Sequence, residues 1–129
     1  MESGKLDRTV LAVDDEPVVL KLVSTFVRNI GLRVLEAASA SRALEICDAN
    51  PLGIHLLVTD VHMPLMNGLQ LAQEVRSRLP GVSVLYITGY APNEERITAE
   101  LREGKADFLA KPFTGSHFTQ KVLELLGIG

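Results

Sequence analysis

Short, unbroken apolar runs alternate with longer stretches of helical periodicity along this 129-residue chain, and that alternation leaves few folds open. The runs are Thr9-Val10-Leu11-Ala12-Val13, Leu56-Leu57-Val58-Thr59, residues 82–87 and Phe108-Leu109-Ala110, with another short strand at 33–37. A strand covered on one face alternates apolar with polar residues, whereas a continuous apolar run needs cover on both faces. Helical repeats fill the intervals. After Pro17, whose missing N–H is harmless in a first turn, Val19, Leu22, Val23, Phe26, Val27 and Ile30 recur at helical spacing, and Gly31 is placed to cap them. Ser39 can cap a second helix with Ala40, Ala43, Leu44 and Cys47 inward, stopped by Asn50-Pro51. A third carries Leu69, Ala72, Val75 and Leu79 and breaks at Pro80-Gly81. A polar fourth, about 93–103, is anchored by Ile97 and Leu101, and a last presents Phe118, Val122, Leu125 and Leu126. Five strands alternating with five helices predict an α/β fold, a mostly parallel sheet covered on both faces.

Composition narrows the function. The chain is 47% hydrophobic, but no apolar stretch approaches the ~20 residues that span a bilayer, so no membrane insertion is expected. The polar start Met1-Glu2-Ser3-Gly4-Lys5 lacks a secretory signal; residues 1–7 read as native linker or cloning remnant, and 8–127 as one domain. A single cysteine, Cys47, has no partner to bridge and fits a reducing, cytoplasmic setting. A net charge of −3 argues against direct nucleic-acid binding, and Arg76 and Arg78 read as a solvated helix face.

The polar residues at the strand exits carry the chemistry. The first run delivers Asp14 and Asp15, the second Asp60, the run at 82–87 delivers Thr88, and the last Lys111-Pro112. In open parallel sheets ligands bind beyond the carboxyl ends of the strands, where strand order reverses. Three carboxylates crowded there repel one another unless a cation joins them. A hard, oxygen-only donor set suits Mg²⁺, with Mn²⁺ as a substitute. An aspartate can also attack phosphorus, with a lysine and a hydroxyl steadying the transferring group. Each station alone has a plainer reading. An acidic pair after a strand is an ordinary helix-start cluster, a lone lysine is usually surface, and Phe108 is in part simply core. Met63 and Met66 read as loop anchors, and His55 and His117 as structural or solvated.

Taken in order, four motifs resemble the receiver domain of two-component response regulators. They are Val13-Asp14-Asp15-Glu16-Pro17, the stretch from Val58-Thr59-Asp60 through His62-Met63-Pro64 to Asn67-Gly68, Ile87-Thr88-Gly89, and Ala106-Asp107-Phe108-Leu109-Ala110-Lys111-Pro112-Phe113. The resemblance covers nearly the whole chain and implies a flavodoxin-like, doubly wound (βα)5 fold with strand order 2-1-3-4-5. It implies that Asp60 accepts a phosphoryl group from a histidine kinase or histidine phosphotransfer protein. Asp15 and Asp60 would ligate Mg²⁺ directly, Asp14 directly or through water, and the backbone carbonyl of His62 would complete the protein ligands. Lys111 and Thr88 would hold the phosphoryl oxygens, with Lys111-Pro112 cis. Gly68 would end its loop in a conformation that favours glycine. Thr88 and Phe108 would form the switch, acting on a surface built from the polar helix, the fifth strand and the last helix. That surface would meet a downstream effector or a second copy on phosphorylation. His62 and Tyr90, both bulky, would hinder the attacking water and prolong the phosphorylated state.

Two other classes fit less well. A Mg²⁺-dependent phosphatase with an aspartyl-phosphate intermediate usually places a second acid two residues past its nucleophile, where His62 stands here. A flavin carrier needs a phosphate-cradling first loop, which Asp14-Asp15 would oppose. Within the receiver class the expected settings are a stand-alone shuttle, a receiver joined to an output domain, or the receiver of a hybrid kinase. Tyr86-Ile87-Thr88-Gly89-Tyr90 leans toward the last, or toward a phosphorelay intermediate.

Overall fold

The computed structural model describes residues 7–50, 53–89 and 105–128. Expectations for residues 1–6, Pro51, Tyr90 and the polar helix with Ile97 and Leu101 lie outside them. The described elements run β1 (Thr9–Val13), α1 (Pro17–Ile30), β2 (Arg33–Ala37), α2 (Ala40–Ala49), β3 (Leu56–Asp60), α3 (Gly68–Arg78), β4 (Ser83–Thr88), β5 (Ala106–Ala110) and α4 (Gly115–Leu126).

All four strand pairings are parallel, in the order β2-β1-β3-β4-β5. The chain leaves β1 for β2 on one side and returns to β3 on the other, so the order reverses between the exits of β1 and β3. Alternate side chains enter two cores. Leu11, Val13, Leu57, Val84 and Tyr86 meet α2 and α3 through Ala43, Cys47, Leu71 and Val75. Val10, Ala12, Val58, Leu85, Ile87 and Leu109 meet α1 and α4 through Val23, Val27, Phe118 and Val122. Full burial on both faces is why the central strands read as unbroken apolar runs.

The caps form as their residues require. Gly31 closes α1 with a φ of +99°. The Ser39 hydroxyl accepts the Arg42 N–H at the start of α2, and Asn67 and Gln70 form a reciprocal box at α3. Met63 and Met66 pack on the α2/α3 core as expected, and His55 is structural, its Nδ1 accepting the Thr9 N–H at 3.0 Å.

Several details differ from the sequence reading. β4 starts and ends one residue later, placing Thr88 inside the strand, and β5 begins two residues earlier, at Ala106. Leu22 points outward at 43% exposure, while Ser24 takes an inward place on α1. Leu71, not Leu69, supplies the fully buried leucine of α3. Arg78 is not simply solvated: its guanidinium ties α3 to α2 through Asp48 at 2.9 Å and also bonds Glu74.

Candidate functional site

Neighbouring strands β1, β3, β4 and β5 deliver their polar exits to one edge. Asp14 follows β1 directly, and its N–H still bonds the Ala37 carbonyl of β2 at 3.2 Å, so its backbone is held as sheet. Asp60 ends β3, Thr88 ends β4 and Lys111 follows β5. Asp14, Asp60 and Thr88 are all buried. Charged groups rarely occupy such positions unless they are paired or held by hydrogen bonds.

Lys111 provides the pairing. Its Nζ donates to Asp60 Oδ2 at 2.8 Å and stands 3.8 Å from Glu16 Oε1. The backbone places it there: the Lys111 N–H bonds the Thr88 carbonyl at 2.8 Å, continuing the β4–β5 ladder one residue past the strand. The following peptide, Lys111-Pro112, is cis. Two residues on, the Phe113 ring packs 5.9 Å from Phe118 of α4 and 6.3 Å from Phe26 of α1, which anchors the segment leaving the site. Lys121 of α4 also holds Asp107 of β5 at 2.9 Å.

The backbone holds one oxygen of each buried aspartate. Asp60 Oδ1 accepts the His62 N–H at 2.8 Å, and Asp14 Oδ1 accepts the Glu16 N–H at 2.9 Å. Burial pushes the Asp14 carboxyl up to about 6, and the charges of Asp60 and Asp15 add to the rise against the Glu16 N–H and Lys111. Burial pulls the Lys111 ammonium down, but the hydrogen bond and charge of Asp60, then Asp14 and Glu16, outweigh it and leave the pKa raised.

Asp14, Glu16 and Asp60 each turn a carboxylate oxygen into one cluster, all within 4.8 Å of one another. The set is hard, oxygen-only and partly open to water through the exposed Glu16. Such a donor set fits a divalent cation of the Mg²⁺ or Mn²⁺ type.

Of the residues singled out in the sequence, Lys111 bonds Asp60, Asp14 brings a carboxylate oxygen within 4.8 Å of that of Asp60, and Thr88 stands at the adjacent strand end. Asp15 is exposed and its carboxylate is not part of the described cluster. His62 is exposed at the mouth. Phe108 lies opposite Tyr86 in β5, half-buried against the α2/α3 core, and by strand alternation it shares a sheet face with Thr88. Gly68 is needed for a reason other than the expected one. It lacks a positive φ; instead, a Cβ there would collide with the carbonyl oxygen of Asp60, so the start of α3 and the exit of β3 touch backbone to backbone.

Glu16 was legible only as part of an acidic motif. The available signal was its place as the residue before Pro17, since glutamate is a poor N-cap and its longer side chain is free to reach elsewhere. In the structure it makes no capping bond.

A parallel sheet of this order with an aspartate, lysine and threonine at its carboxyl edge defines a receiver-type signalling domain. Residues 10–123 match the response regulator receiver domain family, and the chain belongs to it. It is 36% identical over 121 residues to the chemotaxis protein CheY1 of Helicobacter pylori, covering 92% of this chain and 96% of that protein. It is 37% identical over 118 residues to the probable transcriptional regulatory protein TcrX of Mycobacterium tuberculosis, covering 92% of this chain but 49% of TcrX. Among solved structures, the receiver domain of the hybrid histidine kinase CckA superposes with a TM-score of 0.77 at 31% identity, over 92% of this chain and 98% of that one. The chain is therefore a signalling domain of two-component systems rather than a classical enzyme, and the phosphatase alternative is not favoured.

Proposed function

We propose that this domain accepts a phosphoryl group on Asp60 from a phosphohistidine of a sensor kinase or a histidine phosphotransfer protein. The observation that carries this is the 2.8 Å contact between Lys111 Nζ and the buried Asp60 Oδ2. Oδ2 attacks phosphorus, the P–N bond breaks, and its electron pair leaves with the imidazole. Oδ1 stays held by the His62 N–H. Lys111 moves from Oδ2 to a phosphoryl oxygen, where its charge offsets the developing negative charge. The Thr88 hydroxyl turns toward another oxygen, and Phe108, on the same sheet face, follows into the space released. Hydrolysis ends the signal: water attacks phosphorus, the acyl P–O bond breaks, and the Asp60 carboxylate is restored.

A bound Mg²⁺ or Mn²⁺ ion would neutralise the oxygens in flight; Asp14, Asp15, Asp60 and the His62 carbonyl are its proposed ligands. The face that includes β5 and the last helix is the proposed output surface, meeting an effector or a second copy. A cytoplasmic setting accords with the lone thiol of buried Cys47. No described helix is long and apolar enough to cross a membrane. His62, and from the sequence Tyr90, would slow the attacking water; the His62→Ala, Tyr90→Ala double variant should then shorten the acyl-phosphate half-life, and an equal or longer one would contradict that role.

Incubation with acetyl phosphate and Mg²⁺ tests the central step. The protein should gain the mass of one phosphoryl group, labile to hydroxylamine, and Asp60→Asn should gain none. Equal labelling of Asp60→Asn would remove Asp60 from the role.

A further inference from the structure

Glu16 belongs to the carboxylate cluster but is not among the proposed cation ligands, and it stands over the site. As the residue before Pro17 it occupies the N-cap of α1, with extended backbone and no side-chain bond to the helix it begins. Its carboxylate turns the other way. Oε1 stands 3.8 Å from Lys111 Nζ, and a carboxylate oxygen lies within 4.8 Å of those of Asp14 and Asp60. The side chain is 63% exposed, so it forms the solvent-side lip of an otherwise buried acidic cluster.

We propose that Glu16 is a positioning residue: its charge strengthens divalent-cation binding at this edge and holds Lys111 toward the mouth before phosphorylation. The inference rests on the reading of Asp14 and Asp60 as cation ligands. A negative charge a few ångströms from the cation attracts it, directly or through a water, and the effect is moderated by exposure and salt. The same charge gives the ammonium of Lys111 a second partner beside Asp60. A cap residue with a purely structural role would do neither.

The probe is Mg²⁺ alone, titrated into the unphosphorylated protein and followed by amide and lysine side-chain NMR. Glu16→Gln, which keeps the shape and removes the charge, should weaken Mg²⁺ binding about three- to ten-fold at low ionic strength, less at high salt. It should also move the Lys111 Nζ resonance of the cation-free protein. Glu16→Asp, which keeps the charge, should recover at least half of the lost binding free energy. An unchanged or tighter Mg²⁺ affinity in Glu16→Gln overturns the proposal, as does an equal loss in Glu16→Asp. Asp60→Asn separates the two claims: if it too leaves Mg²⁺ binding unaltered, the cation site itself is misread, whereas a loss there without one in Glu16→Gln removes only the role of Glu16.

Discussion

Asp14 shows how a single residue ties the site to the stability of the whole fold. Its folded pKa, about 6, lies above the ordinary value of 3.8, chiefly because burial disfavours the charged form. The folded state therefore holds the proton more tightly than the unfolded chain. The stabilisation this gives is complete below about pH 4 and is lost as pH rises through about 6. In cation-free buffer, stability should fall over that window by up to about 3 kcal/mol from this group. Asp14→Asn should flatten the fall and be the more stable protein at pH 7.5, as urea denaturation across pH would show. An unaltered profile in the variant would contradict the assignment. Ser24 illustrates the opposite case, a residue the sequence pattern did not flag. Helical spacing picks out apolar positions and so favours Leu22, although Ser24 holds the buried place. Its hydroxyl has no hydrogen-bond partner among the described residues. Ser24→Ala should be neutral or stabilising by up to ~1 kcal/mol, because it removes an unsatisfied polar group and favours helix. A loss above that size in thermal or chemical unfolding would mean that the hydroxyl is bonded in solution.

The elements act mainly as holders of strand exits. The α3 start packs so closely on the β3 exit that Gly68 touches the backbone of Asp60 and Val61. Gly68→Ala must displace one of them, costing roughly 2–4 kcal/mol, of the order of other overpacked contacts. Because the backbone that moves carries Asp60, phosphorylation should slow along with the loss of stability; a variant with wild-type unfolding and labelling would refute the close contact. This element also shows where sequence reading ends. A glycine at a loop end invites a conformational explanation, and nothing local reveals that a strand exit eight residues back fills its Cβ space. Strand identity, by contrast, was legible because β1 and β3 are buried on both faces, which leaves residues 10–13 and 56–58 as unbroken apolar runs. The ends of β4 and β5 were less so, because Thr88, Ala106 and Asp107 are paired by their neighbours' ladders rather than chosen by their own side chains.

At the scale of the molecule, parallel order and crossover put residues separated by up to 51 positions, such as Asp60 and Lys111, within one hydrogen bond. Much of that was readable, since an acidic or basic residue directly after a buried strand is costly without a purpose there. What the sequence could not supply was which carboxylates gather: the described cluster includes Glu16 and leaves Asp15 exposed. The central claim is that this edge is a phosphoryl site wired to Phe108. Beryllofluoride, a phosphoryl mimic, titrated with Mg²⁺ into nitrogen-labelled protein, tests it most directly. The account predicts saturable amide shifts at Asp60, Thr88, Phe108 and Lys111 that Asp60→Asn abolishes. Binding without any shift at Thr88 and Phe108, or shifts that persist in Asp60→Asn, would contradict it.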